Sequence, residues 1–143
     1  MNRRTKLLLC LALIASAITR VTCKSIDEVA NYVGTWFASN VETPIAYHDV
    51  EITLTIDGTY ETLMYDVGGS TLQSGSSRGT YTCANNIFSA QQTEQYNGSA
   101  WVPASGTPPP VAYSVSEDGN TLTLFQDFDE DETIDAIWTL TRQ

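Results

Sequence analysis

The sequence predicts an all-β fold, an antiparallel up-and-down barrel of about eight strands preceded by one short helix. Three observations predict it. Val50, Ile52, Leu54 and Ile56 alternate with Glu51, Thr53 and Thr55, the two-residue period of a sheet with one buried and one wet face. Asp57-Gly58, Asn85-Asn86, Asn97-Gly98 and Glu117-Asp118-Gly119-Asn120 punctuate the chain at hairpin spacing, which favours a barrel or sandwich over any parallel fold. Only one stretch carries a helical period, and no repeat or second domain is visible.

The N-terminal residues read as a secretory signal rather than as structure. Arg3, Arg4 and Lys6 precede an apolar run from Leu7 to Ile14, which leads into the small-x-small site Ala15-Ser16-Ala17. The signal covers residues 1–17, with cleavage there or as late as residue 22. The apolar run is too short to cross a bilayer, so no transmembrane span is expected once it is removed. The expected location is secreted, periplasmic or at the cell envelope. Cleavage after Ala17 leaves about 126 residues, enough for one domain, residues 25–143, and too few for two.

Two cysteines survive such cleavage, Cys23 and Cys83. In an exported protein a pair usually forms one disulfide. The alternative is a lipid anchor on Cys23, although Arg20-Val21-Thr22 is a poor match to the apolar-small-small approach of a lipoprotein. The formal charge of −10 becomes −13 without the three basic residues of the signal. Such a surface repels phosphate backbones and anionic membranes, so nucleic acid is excluded as a partner. The chain is 42% hydrophobic, which supports a packed core rather than acidic disorder.

In chain order, Ser25 and Glu28 form a capping box, and Ile26, Val29, Ala30 and Val33 fall on one helical face that stops at Gly34. Two turns of helix need an apolar surface to lie on, and the end of the barrel that begins with Trp36 supplies one. The strand from Val50 turns at Asp57-Gly58. A three-residue loop that pairs Ile56 with Tyr60 and Ile52 with Met64 keeps the apolar face continuous, and is the expected register. Gly68-Gly69-Ser70 and Gly75-Ser76-Ser77 suit a mobile loop or a weak edge. Thr80 to Ala84 and Ile87 to Tyr96 are strands joined by Asn85-Asn86. Asn97-Gly98-Ser99 reads first as a turn and second as a glycosylation sequon. Pro103, Pro108, Pro109 and Pro110 predict one stiff connection without pairing. Val111 to Val115, Thr121 to Phe128 and Thr133 to Arg142 close the chain, with Ile134, Ala136, Trp138, Leu140 and Arg142 on one face.

Gly34-x-Trp36 after a short helix, with a core-facing Arg142 at the end of the last strand, resembles the lipocalin-like β-barrels. Asp57-Gly58-Thr59-Tyr60, Gly79-Thr80-Tyr81-Thr82 and Trp138-Thr139-Leu140-Thr141-Arg142 are similar to segments of small secreted or lipoprotein-type members of that calycin-like group. The resemblance implies that Trp36 sits near the closed base and that Arg142 packs across its ring. A guanidinium over an indole gains cation–π energy while its stem covers apolar surface.

Such a barrel either fills its interior or holds one small ligand. The residues proposed to line a site for a small apolar or amphipathic ligand are Ile52, Leu54, Tyr60, Met64, Tyr81, Phe88 and Trp101, with Val50 and Ile56 on the same predicted face. The alternative is a filled barrel acting through its surface, as an inhibitor or adhesion module. No cofactor is called for, and calcium is the one candidate metal. Asp127, Asp129, Asp131 and Asp135 occupy the first, third, fifth and ninth places of a calcium loop, while Glu132 stands where that loop has glycine and Trp138 where it has glutamate. The other reading is a solvated hairpin tip. His48, the single histidine, cannot build a histidine metal site, and no serine sits in a nucleophile elbow. No enzymatic activity is expected, and the sequence leaves the oligomeric state open.

Overall fold

The computed structural model describes residues 31–143. The signal segment, Cys23 and the helix predicted from Ser25 lie outside the described residues, except that Asn31 and Tyr32 are helical. Nine strands follow: β1 (Gly34–Glu42), β2 (Tyr47–Leu54), β3 (Thr59–Tyr65), β4 (Ser77–Ala84), β5 (Ile87–Tyr96), β6 (Trp101–Gly106), β7 (Val111–Val115), β8 (Thr121–Gln126) and β9 (Ala136–Arg142). All pairings are antiparallel. The β4–β5 and β1–β9 pairs close eight of the strands into an up-and-down barrel, and β6 is an extra strand hydrogen-bonded to β5 alone. Closure leaves those eight strands without the exposed edges that invite aggregation.

The β2–β3 register differs from the predicted one. Leu54 faces Tyr60, Ile52 faces Thr62 and Val50 faces Met64. The loop does contain three residues, but they are Ile56-Asp57-Gly58, so Ile56 is a loop residue and 76% exposed. The reason lies in turn chemistry. Gly58, at φ +82°, takes the last loop position, which needs a left-handed residue. Asp57 then turns its carboxylate inward on the loop and accepts from the Thr55 and Thr59 hydroxyls and the Thr59 amide. These local bonds outweigh one more apolar residue on the buried face.

The proline-rich stretch also differs from expectation. Trp101, Val102 and Pro103 pair with Tyr96, Gln95 and Glu94 as β6, and only the segment after Gly106 lacks strand structure. Proline is tolerated in an edge strand, where one row of amide groups has no partner to serve. β6 and β7 run in the same direction along one edge of β5, with β7 at Ile87 and Phe88 and β6 from Gln92 onward. Together they make one strand position, broken by Thr107 to Pro110. The last two strands are shorter than predicted as well: β8 ends at Gln126 and β9 begins at Ala136, so Ile134 is an exposed loop residue.

The segment from Asp66 to Ser76, expected to be mobile or a weak edge, is tied down. Ser76 is fully buried; its hydroxyl accepts from the Met64 amide at 2.9 Å and donates to the Gln73 carbonyl at 3.0 Å. Buried Asp49 accepts from the amides of Asn40 at 2.8 Å and Gly68 at 2.9 Å, which joins this loop to the bulge in β1. The Asn85-Asn86 and Asn97-Gly98 turns stand as predicted, both asparagines of the first at positive φ.

The core runs from Trp36, Val50 and Leu140, all fully buried or nearly so, to Leu122, Leu124 and Trp138. One end of the barrel is plugged. Tyr32 lies edge-on to Tyr81, Phe88 and Tyr113, while Phe88 and Tyr113 stack at 4.1 Å. Its backbone carbonyl receives the Trp36 indole N–H at 2.8 Å. Arg142 lies with its guanidinium 4.2 Å above the Trp36 ring and donates to the carbonyls of Gly119, Val33 and Asn31, each at 2.8 Å. The contact expected between the two ends of the chain is present.

Candidate functional site

Among the described residues Tyr32, Trp36 and Arg142 close the base, which leaves the opposite end and the side wall of the barrel as its openings. A cavity of about 180 Å³ occupies the barrel between these. Its walls come from alternate residues of seven strands: Ile52 and Leu54 of β2, Tyr60 of β3, Tyr81 of β4, Phe88 of β5, Val111 of β7, Leu122 and Leu124 of β8 and Trp138 of β9. Polar side chains, Thr62, Ser77 and Gln126, join it toward the open end, and Pro108 and Pro109 form its side where β6 and β7 part. Prolines suit that place, since they bring apolar surface without a backbone N–H that would need a partner.

Five of the seven predicted lining residues, Ile52, Leu54, Tyr60, Tyr81 and Phe88, meet in this cavity. Met64 does not; it packs against the core near Gly75, its partner across the sheet being Val50. Trp101 does not either. Its ring lies under the Arg78 guanidinium at 4.4 Å, and Arg78 is held by Glu94 at 2.6 Å and by Glu61 at 3.7 Å. Glu61 falls between the lining residues Tyr60 and Thr62, so this cluster covers the outside of the wall. Among the residues that sequence reasoning missed are Leu122, Leu124, Val111, Trp138 and the two prolines. The first four lie on regular alternations that were legible, but nothing local tells a lining position from a packed one.

Tyr81 spans the cavity and the base. Its hydroxyl donates to the Thr55 carbonyl at 2.7 Å, and burial pushes its pKa up to about 12. Cys83 lies at the base, its thiol 2.9 Å from the Tyr113 hydroxyl. Among the described residues it has no disulfide partner, and the candidate partner, Cys23, lies outside them. A wider, half-polar cleft of about 570 Å³ opens there beside Asn31, Tyr32 and Cys83.

The loop Asp127 to Asp135 rises from Gln126, a lining residue, and returns into β9. The Asp135 amide donates to the Gln126 carbonyl at 2.8 Å, and Phe128 leans on Trp138 with ring centres 6.5 Å apart. The loop therefore sits at the mouth of the cavity. Carboxylate oxygens of Asp127, Asp129 and Asp135 lie within 4.8 Å of one another, an arrangement that could hold a cation. Asp131 is not among them; its carboxylate accepts from the Thr133 amide at 2.8 Å, while its own amide donates to Asp127 at 3.2 Å. Glu132, which stands where a calcium loop has glycine, takes φ +71°, the left-handed shape that glycine would supply. Partial burial and the neighbouring carboxylates of Asp131, Asp135 and Asp127 raise the pKa of Asp129 above the ordinary value. Trp138, at the twelfth place, faces the cavity and donates its indole N–H to the Glu42 carbonyl at 2.7 Å, so it offers no ligand.

No helix among the described residues is long and apolar enough to cross a membrane. Comparison of the chain with protein-family models, with curated proteins and with solved structures gives no match.

Proposed function

We propose that this protein is a secreted, non-catalytic barrel of the lipocalin-like type that holds one small apolar or amphipathic molecule in its interior. The observation that carries this reading is the cavity itself. It is walled by apolar side chains from seven strands, with its few polar groups toward the open end. Drug-sized ligands fill pockets of about 300–1,000 Å³, whereas an apolar cavity of about 150 Å³ suffices for benzene. A space of about 180 Å³ therefore suits a single ring or a short alkyl chain. Burial of such a group against the apolar walls supplies the affinity, about 25 cal/mol for each Å² removed from water.

A second reading rests on the exposed apolar residues Ile45, Tyr47, Val67, Ile134 and Ile137, which belong to the loops and strand ends around the open end. There the barrel would act as an inhibitor or adhesion module through its surface, since exposed apolar residues that cluster mark contact sites. Calcium bound by Asp127, Asp129 and Asp135 would hold the mouth loop in either reading, and the left-handed Glu132 is the observation that favours it.

The test is a methyl-detected NMR titration with toluene, p-cresol and hexanol. Saturable shifts confined to Leu54, Leu122 and Leu124, together with quenching of Trp138 fluorescence, are expected. Ala90→Phe, which fills the cavity from β5, should abolish them while the fold persists. Shifts confined to Ile45, Ile134 and Ile137, or none across the panel, would transfer the function to the surface.

A further inference from the structure

Building on the cavity reading, we infer that the barrel selects a cationic amphiphile, an amine carried on a single ring or short chain, and discriminates against carboxylates such as fatty acids. The inference names the ligand class of the same cavity and rests on the charges that surround its mouth.

A carboxylate ligand needs a basic group where its head emerges, and the described residues place none there. The described residues hold two arginines and no lysine. Arg142 is at the closed base, spread over Trp36 and bonded to three carbonyls. Arg78 is on the outer face, held between Glu61 and Glu94 over Trp101. Its neighbour Ser77 lines the cavity, so the alternation of β4 turns Arg78 away from it.

What the mouth does hold is negative. The three carboxylates of Asp127, Asp129 and Asp135 converge on a loop whose first residue follows the lining residue Gln126. Three carboxylates within 4.8 Å of one another repel, so a further anion is disfavoured and a cation relieves the repulsion. The lining itself supports a head group at this end alone. Leu54, Tyr60, Tyr81 and Phe88 toward the base offer a ring its apolar surface, while Thr62, Ser77 and Gln126 toward the mouth offer acceptors to an ammonium. A short amine placed with its ring at Leu122 and Leu124 would direct its nitrogen toward Gln126 and the carboxylates beyond it.

Three ligands with the same apolar body test this: 2-phenylethylamine, 2-phenylethanol and phenylacetate, each titrated into the full mature chain by calorimetry at pH 7, low ionic strength and with chelator present. The amine should bind about fivefold more tightly than the alcohol and the acid most weakly, a ratio of the size that a solvent-exposed ion pair produces. The amine preference should shrink in 0.5 M salt, where exposed charges are screened. The double variant Asp129→Asn with Asp135→Asn should bring the amine close to the alcohol and leave the alcohol unchanged, which also shows that the variant is folded. Equal binding of the three ligands, tighter binding of the acid, or a preference untouched by the double variant would overturn the inference and leave the cavity reading standing. Failure of all three to bind would remove both.

Discussion

The Arg142 guanidinium lies 4.2 Å from the centre of the Trp36 ring, and the two residues also face each other across the β1–β9 pair. One side chain thus joins the last strand, the first strand, the Gly119 turn and the chain entering at Asn31. The tight fit also explains the glycine of Gly34-x-Trp36. A Cβ on Gly34, at φ +143°, would meet Arg142 Nη1 at 2.5 Å.

Arg142→Ala should therefore destabilise the barrel by about 2–4 kcal/mol, from the lost charge-assisted bonds and the cation–π contact. Gly34→Ala should cost a comparable amount by displacing the same guanidinium. Urea unfolding would measure both as a lower midpoint with an unchanged slope. A loss of less than about 0.5 kcal/mol for Arg142→Ala would show that the base is closed by Tyr32 alone.

Asp49 is buried and its two oxygens serve two loops, through the Asn40 and Gly68 amides. Asp49→Asn keeps the shape but turns an N–H₂ toward one of those donors, so it should cost about 2–3 kcal/mol, nearly as much as Asp49→Ala. Hydrogen exchange at Gly68 and Asn40 should quicken well beyond the change in the rest of the sheet.

The mouth loop holds Glu132 at φ +71° and Glu130 at φ +59°. Glu132→Gly should stabilise the chain by about 0.5–1 kcal/mol, because glycine adopts that shape without the Cβ clash. If the loop binds calcium, millimolar calcium should raise the melting temperature, the increment should grow in Glu132→Gly and vanish in Asp129→Asn. Melting curves that superimpose with calcium and with chelator would assign the carboxylates to the solvated rim.

The pH limits of stability follow from the perturbed groups. Tyr81 is raised from 10.0 to about 12, chiefly by burial. The unfolded chain releases that proton first, so stability should fall as pH rises from about 10 toward 12. Absorbance at 295 nm should show Tyr81 ionising late, and Tyr81→Phe should remove the late component. In acid the sign reverses: Asp57, lowered by the Thr55 and Thr59 hydroxyls, and Asp118, lowered by Ser116, help hold their turns at neutral pH. That help is lost as pH drops through their lowered folded-state values.

The sequence by itself determined the fold class, the turns at Gly58, Asn85-Asn86 and Asn97-Gly98, and the core-facing phase of Arg142, while its meeting with Trp36 was what the lipocalin-like resemblance implied. The first three rest on local information: a two-residue period or a residue that tolerates positive φ. Tertiary structure alone decided which apolar residues line a space and which fill one. Leu122 and Leu140 follow the same alternation and are both fully buried, yet only Leu122 borders the cavity. The position of Ile56 was likewise settled by how Gly58 and Asp57 build the turn, and that of Trp101 by its stacking against Arg78. A period says which side of a sheet a residue faces. What stands opposite depends on register and on distant strands, and that is where the cavity and its acidic mouth arise.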